Sequence, residues 1–450
     1  MKLETIDIMV CPDCKSNFEI KNIFKRNEER IIAGIIGCKC WSYPILDEIL
    51  IFDKKQIMNT HYLMELLRMG KIDTAISSPL DVKKLDRLLL YFYHFLKSAG
   101  SFKKLSPIID AFTISLKKRR YNEYFGKNMT FFNLMNQLKP NTWGYYLKHR
   151  FSAESFWSIY PFIPILRENS DMILDLGCGA GHVAYVLSKN VSPKKLICID
   201  RDYTLLQIAK RFFASDAEFI CQDLNNPLPF KDGVFSLIIM LDSYHYVANR
   251  ARLANDIERM LRSNSVLLIS HLHNSLVETI ARGFVLEPLG WESLFSKLKI
   301  KSIPEKELIV GLINENKLDL KKEYPIAELN KSRAITIIGT NDLELFKVYN
   351  NVHKPLLDGS KNLIINPIYN IRAKNGKIVL ERKVSDERFR TEFPLSMKHF
   401  PKFIDLDKSF TNILEGRKLK LPSKMPKNEQ NGIEDMIRNF IILEVPKRYI

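Results

Sequence analysis

The chain has no apolar run long enough to span a membrane. Its longest, such as Leu88 to Leu96, falls far short of the ~20 residues a bilayer requires. The opening residues, Met1-Lys-Leu-Glu-Thr-Ile-Asp, carry early acids and no apolar stretch, so no signal peptide is expected and the expected compartment is the cytoplasm. No internal repeat or low-complexity tract is present, which argues against solenoid and fibrous architectures. Cysteine is scarce, seven in 450 residues, and four of the seven fall in two tight pairs, a pattern that suits a metal site in a reducing compartment better than a disulfide framework. Glycine is also sparse, yet residues 177, 179 and 181 are all glycine.

The composition is that of a globular protein, 46% hydrophobic and 26% charged, and the length suggests roughly two to four domains. The net charge of +17 is unevenly spread. Residues 1–50 hold 7 basic and 8 acidic residues, 51–150 hold 18 and 7, 151–300 hold 15 and 16, and 301–450 hold 28 and 20. The glycine-rich region is therefore near neutral and the excess lies in its flanks. A basic flank meets nucleic acid, anionic lipid or a phosphorylated substrate, or is simply a solvated lysine surface.

The paired cysteines are Cys11-Pro-Asp-Cys14 and Cys38-Lys-Cys40. Two short knuckles brought together by a hairpin supply the four soft ligands that tetrahedral zinc takes. A ribbon this small buries too little surface to stand alone, so a structural Zn2+ would contribute folding energy. The alternative is four reduced cysteines without metal. With Tyr43-Pro-Ile-Leu-Asp-Glu-Ile49, this segment resembles the zinc-ribbon domain of the activator subunit of tRNA and release-factor methyltransferases. That family has glycine where this chain has Glu48, so a different local turn is expected. Cys178, Cys198 and Cys221 stand singly in apolar surroundings and read as inert buried thiols.

Between the ribbon and residue 170 the pattern is helical. Asp81 reads as an N-cap, followed by a stripe through Val82, Leu85, Leu88, Leu89, Phe92, Phe95 and Leu96, with Gly100 closing the helix. Lys117-Lys-Arg-Arg120 reads as a basic run at a helix end. The aromatic stretch Phe151 to Leu166 either packs on a sheet or closes over a ligand.

From Asp171 onward strands and helices alternate, which predicts a parallel sheet with helices on both faces, a doubly wound Rossmann-like α/β fold. Strands are expected at 172–176, 195–199, 218–221, 234–240 and 265–271, and helices at 182–188, 203–213 and 250–262. Ligands of such sheets sit outside the carboxyl ends of the strands. Those ends carry Asp175 with Gly177, Gly179 and Gly181; Asp200 followed by Arg201; Asp223 with Leu224; and Leu241 through Tyr246. A G-x-G-x-G turn preceded by an acid differs from the dinucleotide pattern G-x-G-x-x-G. It suits a ligand with an amino-acid end and no pyrophosphate.

These residues, together with Leu228-Pro-Phe-Lys-Asp-Gly-Val-Phe235, resemble the class I S-adenosylmethionine-dependent methyltransferases of the kind called type 11. The resemblance implies that Asp175, Gly177, Gly179 and Gly181 cradle the methionine part of S-adenosylmethionine. It assigns the ribose to Asp200, with Arg201 beside it, and the adenine to Asp223 and Leu224; Leu241 lines the same site. His245 and Tyr244 stand where a base would, or serve as packing. His271 and His273 follow the fifth strand and point to the acceptor side.

The expected organisation is a zinc ribbon over 1–55, a helical segment over 56–150, the methyltransferase domain over 151–345, and a C-terminal α+β extension of unassigned role over 346–450. Within the last two, a strand is expected at Leu308 to Ile313, a loop around Pro288, Gly290 and Trp291, a last sheet strand at Arg333 to Ile338, a hairpin at 369–382 turning on Asn375-Gly376, and a closing helix from Ile433 to Leu443. The expected activity is methyl transfer from S-adenosylmethionine to a small-molecule or lipid-linked acceptor, ahead of RNA. RNA stays open because a bacterial ribosomal-RNA guanine methyltransferase combines a ribbon with a methyltransferase in a similar layout. The rival is a non-catalytic module that binds RNA or a protein through the ribbon and basic flanks.

Overall fold

The computed structural model describes residues 1–52, 59–82, 86, 88, 91, 95, 106–139, 141–278, 283–355, 357, 361–374, 377–406, 408–422 and 425–450. Four N-terminal strands, β1 (Glu19–Asn27), β2 (Arg30–Gly37), β3 (Ser42–Leu46) and β4 (Ile49–Ile51), form a meander. They are followed by β5 (Met172–Leu176), β6 (Lys195–Asp200), β7 (Glu218–Cys221), β8 (Phe235–Leu241), β9 (Leu261–His273) and β10 (Lys299–Pro304). Beyond these come β11 (Lys317–Asp319) and β12 (Ala334–Thr340). All but β11 join one sheet of eleven strands in the order β1-β2-β3-β4-β7-β6-β5-β8-β9-β12-β10.

The centre of this sheet, β7-β6-β5-β8-β9, is parallel. Helices His182–Asn190, Tyr203–Ile208 and Arg250–Met260 make its crossovers. Strands covered on both faces must be apolar throughout rather than alternating, and all seven residues of β8 are buried. The five strands expected from sequence are all present. The last two strands, β12 and β10, run antiparallel to β9 and to each other.

The ribbon's strand β4 pairs in parallel with β7, Leu50 opposite Ile220, so the meander continues the central sheet. The turn before β4 holds both Asp47 and Glu48 at positive φ, +50° and +67°, as a two-residue hairpin with the native twist demands. Glycine is easy in that conformation. Here the strain is offset by ion pairs: Glu48 with Arg30 and Lys210, and Asp47 with Arg211 at 2.6 Å.

Several expectations are corrected. Leu308 to Ile313 is not a strand: helix Glu305–Val310 continues into a wider turn through Glu315. Its β-branched residues suggest a strand, but Leu308, Ile309 and Leu312 lie on one helical face and are buried together. Pro288–Glu292 is a short helix rather than a loop. The closing helix spans Lys427–Arg438, and the chain reverses at Phe440, φ +57°, into a strand at Ile442–Glu444. Lys117 to Arg120 lies within helix Ser106–Phe125 rather than at its end, and Arg120 is tied to Asp86. Most of the helix expected from Asp81 to Gly100, and the Asn375-Gly376 turn, lie outside the described residues. The flanking hairpin strands Tyr369–Lys374 and Lys377–Arg382 do pair.

The segments flanking the central sheet lock together. Phe151, Phe156, Trp157 and Phe162 are fully buried packing residues. Phe131 N–H donates to the Arg448 carbonyl at 2.8 Å, and Tyr449 stacks on the Phe131 ring at 5.4 Å. Ser152 bonds Asn366, and the Glu154 carboxylate accepts from the Ser396 N–H at 2.6 Å.

Candidate cofactor and acceptor site

The glycine turn leaves β5 with Gly177, Gly179 and Gly181 at φ +77°, +51° and +92°. Side chains with a Cβ are disfavoured there. Two of the three glycines are also packing requirements. A Cβ on Gly177 would meet Ser243 at 2.7 Å, and one on Gly181 would meet Ala209 at 2.7 Å. Gly179 differs: nothing lies within 4 Å of its would-be Cβ, so its backbone faces open space.

Asp200, at the tip of β6, accepts from the Gly179 N–H with one carboxylate oxygen and from the Asp202 N–H with the other, both at 2.9 Å. Asp175 lies beneath the turn, 1% exposed, and its Oδ2 has no hydrogen-bond partner among the described residues. Burial first, and the charge of Asp200 second, push the Asp175 carboxyl up to about 8. Burial likewise raises Asp200 to about 6, against the pull of its two N–H donors. A buried acid with a spare acceptor, next to an open glycine backbone, fits the ammonium end of an amino-acid ligand. Asp223 accepts from the backbone and side chain of Asn225, both at 2.8 Å, which orients it beside buried Leu224. Leu241 is buried at the end of β8, and Arg201 is exposed.

At the other end of the meander the four cysteine sulfurs lie within 4.8 Å of one another, with Cys11–Cys40 at 3.5 Å and Cys38–Cys40 at 3.4 Å. Four thiolates about 2.3 Å from one zinc ion would stand about 3.8 Å apart. The cluster is compatible with structural zinc, and all four cysteines are free thiols.

On the candidate acceptor side, Ser243 sits against Gly177 and donates to the Leu176 carbonyl at 3.1 Å, so the residues after β8 adjoin the glycine turn. Asp242 is at φ +56° and His271, in the next strand, at +57°. At His271 the β9–β12 register slips, so Ser270 and His271 together face Thr336. The Asp242 carboxylate accepts from the Tyr146 hydroxyl at 2.5 Å and pairs with Arg150 at 3.5 Å. Both Glu305 oxygens lie within 2.9 Å of His271 Nδ1. Burial alone would raise Asp242 and lower His271, but their partners reverse both effects. Asp242 is held at about 2 by His271 and Arg150, and His271 at about 9 by Glu305 and Asp242. Burial and the charge of Glu305 raise Glu154 to about 8.

Two clefts open on this cluster. One, of about 320 Å³, is lined by Glu154, His271, His273, Glu305 and Glu392 among others. The second, smaller one has Asp242 and Glu392 between the aromatic rings of Trp143, Tyr146, Tyr246, Phe389 and Phe393.

The two positional base candidates are placed differently. The Tyr244 hydroxyl donates to the Arg250 carbonyl at 3.0 Å and its ring packs on Trp291, so it stands in the core. His245 is fully buried with neither ring nitrogen hydrogen-bonded among the described residues, and its ring meets His273 at 4.7 Å. Sequence reading gave no role to Tyr146, Arg150, Glu154, Glu305 or Glu392. They come from segments outside the motifs, and only their side-chain chemistry could have flagged them.

Residues 174–269 match the family model described as a methyltransferase domain. Among curated proteins, demethylmenaquinone methyltransferase of Thermotoga maritima is 30% identical over 122 residues, 27% of this chain and 52% of that one. Malonyl-[acyl-carrier protein] O-methyltransferase of a Marinomonas species is 22% identical over 153 residues, 34% of this chain and 54% of that one. The chain thus spans about half the length of the curated relatives it matches. Among solved structures, a TehB-like S-adenosylmethionine-dependent methyltransferase of Corynebacterium glutamicum is 19% identical, covering 41% of this chain and 86% of that one with a TM-score of 0.31.

Proposed function

Since residues 174–269 match the family model of a methyltransferase domain, we propose that the chain is a class I enzyme that transfers a methyl group from S-adenosylmethionine to a small-molecule or lipid-linked acceptor. The observation that carries this reading is the buried Asp175 carboxyl, whose Oδ2 has no hydrogen-bond partner among the described residues, at the start of a glycine turn whose Gly179 faces open space. Asp175 would take the ligand's ammonium, and the turn's N–H groups would approach it without a Cβ between. Asp200 would accept from the ribose hydroxyls, and Asp223 and Leu224 would hold the adenine edge and face. S-adenosylmethionine supplies an electrophilic methyl group on a sulfonium. The protein's task is then to hold an acceptor atom in line and to exclude water.

The aromatic cleft lined by Asp242, about 60 Å³, supports an acceptor that presents a small group there, because the rings of Trp143, Tyr146 and Phe393 would pack on its apolar part and leave polar groups to the acids. RNA is less favoured, since Lys117 and Arg120 of the basic run already bond Ser78 and Asp86. Among the described residues no helix is long and apolar enough to cross a membrane.

Calorimetry with S-adenosylmethionine tests the reading. The wild type is expected to bind and Asp200→Ala to lose measurable binding; a wild type that does not bind sinks the proposal. Labelled-methyl transfer to fractionated extract then identifies the acceptor, and label appearing in RNA would replace the small-molecule assignment.

A further inference from the structure

We propose that Asp242, His271 and His273 bind a divalent first-row transition-metal ion beside the two clefts, Asp242 lining the aromatic one and the histidines the larger one, a site separate from the four-cysteine cluster. One carboxylate oxygen and one nitrogen from each ring lie within 4.8 Å of one another. The two histidines are 5% and 6% exposed. Bonds of about 2.0–2.2 Å from imidazole and carboxylate to an ion require only a modest inward closing of such a set.

The surroundings are arranged as the outer contacts of a metal site are. A ligating histidine usually gives its other ring N–H to a carboxylate, which fixes the tautomer and the ring. His271 Nδ1 does this with Glu305 at 2.8 and 2.9 Å. Its Nε2 is then left buried without a hydrogen-bond partner among the described residues. That nitrogen faces Asp242 Oδ1 at 3.9 Å, too long for a hydrogen bond and of the order of the spacing between two ligands of one ion. Asp242 is oriented in the same way. Tyr146 and Arg150 hold its Oδ2, which turns Oδ1 toward the histidines.

The backbone supports this reading independently. Asp242 and His271 both occupy the left-handed region, at φ +56° and +57°, although neither is glycine. Such strain persists where a functional arrangement needs it, and the bulge in β9 turns His271 toward Asp242. Charge around the cluster is mixed: Glu305 and Glu392 line the cleft beside the histidines together with Lys306, Lys331 and Arg333, and Arg150 pairs with Asp242. Two imidazoles and one carboxylate suit zinc, manganese, iron or cobalt rather than calcium or magnesium. Three protein ligands leave coordination positions at which an acceptor oxygen or nitrogen would bind. That last role rests on the methyltransferase reading; the presence of the ion does not.

The test is elemental analysis of the full-length protein after exposure to Zn2+, Mn2+ and Co2+ in turn, followed by desalting. Wild type is expected to hold about one equivalent more than Asp242→Asn or His271→Ala/His273→Ala, beyond the about one equivalent of a four-cysteine site. Both variants are checked by S-adenosylmethionine calorimetry, so loss of the fold is told apart from loss of the ion. Tyr146→Phe removes only an outer contact and is expected to weaken Co2+ binding about 10–100-fold. Equal metal content in wild type and variants, or an unchanged Co2+ affinity in Tyr146→Phe, overturns the proposal. A wild type that takes up the extra ion but binds no S-adenosylmethionine would keep the metal site and remove the methyltransferase reading instead.

Discussion

Asp175 shows how one residue ties stability to ligand binding. Its carboxyl is raised to about 8 in the folded chain, mainly by burial, against about 3.9 when unfolded. An acid whose folded value is raised is easiest to keep folded below its unfolded value, and the chain loses stability as pH climbs from there to the folded value. Asp175→Asn removes that penalty. The melting temperature of the variant without ligand, relative to wild type, is therefore expected to rise between pH 4 and pH 8 and to level off above it. Scanning calorimetry across that range checks the trend, and a gap that stays constant would show that the carboxyl is not perturbed. The same variant is expected to lose S-adenosylmethionine affinity at least 10-fold, since it removes the carboxyl that the ammonium would draw into its charged form.

At the scale of the element, the glycine turn separates two functions that its sequence cannot distinguish. Gly181→Ala would drive a Cβ into Ala209 at 2.7 Å and force a left-handed φ on alanine. A loss of about 3 kcal/mol is expected in urea unfolding. Gly179→Ala meets nothing, so only the φ term, about 1–2 kcal/mol, should appear. Its methyl would instead project into the space assigned to the ligand, and calorimetry should show weakened S-adenosylmethionine binding. If Gly179→Ala binds as wild type, the open face of the turn is not the ligand side. The Asp47-Glu48 turn makes a related point. Its positive φ values are readable only as a departure from the family's glycine. The ion pairs that compensate come from Arg30, Lys210 and Arg211, the last two some 160 residues away.

At the scale of the molecule, the flanks are part of the same packed body as the central sheet. The ribbon covers what would be the open edge of β7, a row of unpaired backbone groups. Chelation of zinc is therefore expected to lower the melting temperature of the whole chain and to expose that edge to aggregation, rather than to release an independent ribbon. A calorimetric trace with an unchanged main transition after chelation would contradict this. Tyr449 is 1% exposed and packs against Phe131, Phe151 and Phe213. Tyr449→Ala is expected to cost about 3–5 kcal/mol, as for other large aromatic truncations.

The central fold was legible because its signals are local. Buried parallel strands are continuous apolar runs, and the acids and glycines of the candidate cofactor site fall within a few residues of the strand ends that carry them. The cysteine pairs are legible for the same reason. Short-range reading failed at Leu308 to Ile313, where β-branched composition competed with burial that only the packed neighbours supply, and at the closing helix, which starts six residues earlier and reverses at Phe440 before a strand. The proposed acceptor side is marked in the sequence only in part, by the histidines of β9 and the segment after β8. Its other members, Tyr146, Arg150, Glu154, Glu305 and Glu392, lie on segments separated by up to about 250 positions, and no spacing rule links them. Sequence by itself thus determined the cofactor fold and the cysteine cluster, because periodicity and motif act over short stretches of chain. Which side chains meet around Asp242 was decided by the tertiary structure, because packing against a common sheet is what brings distant segments within hydrogen-bonding reach.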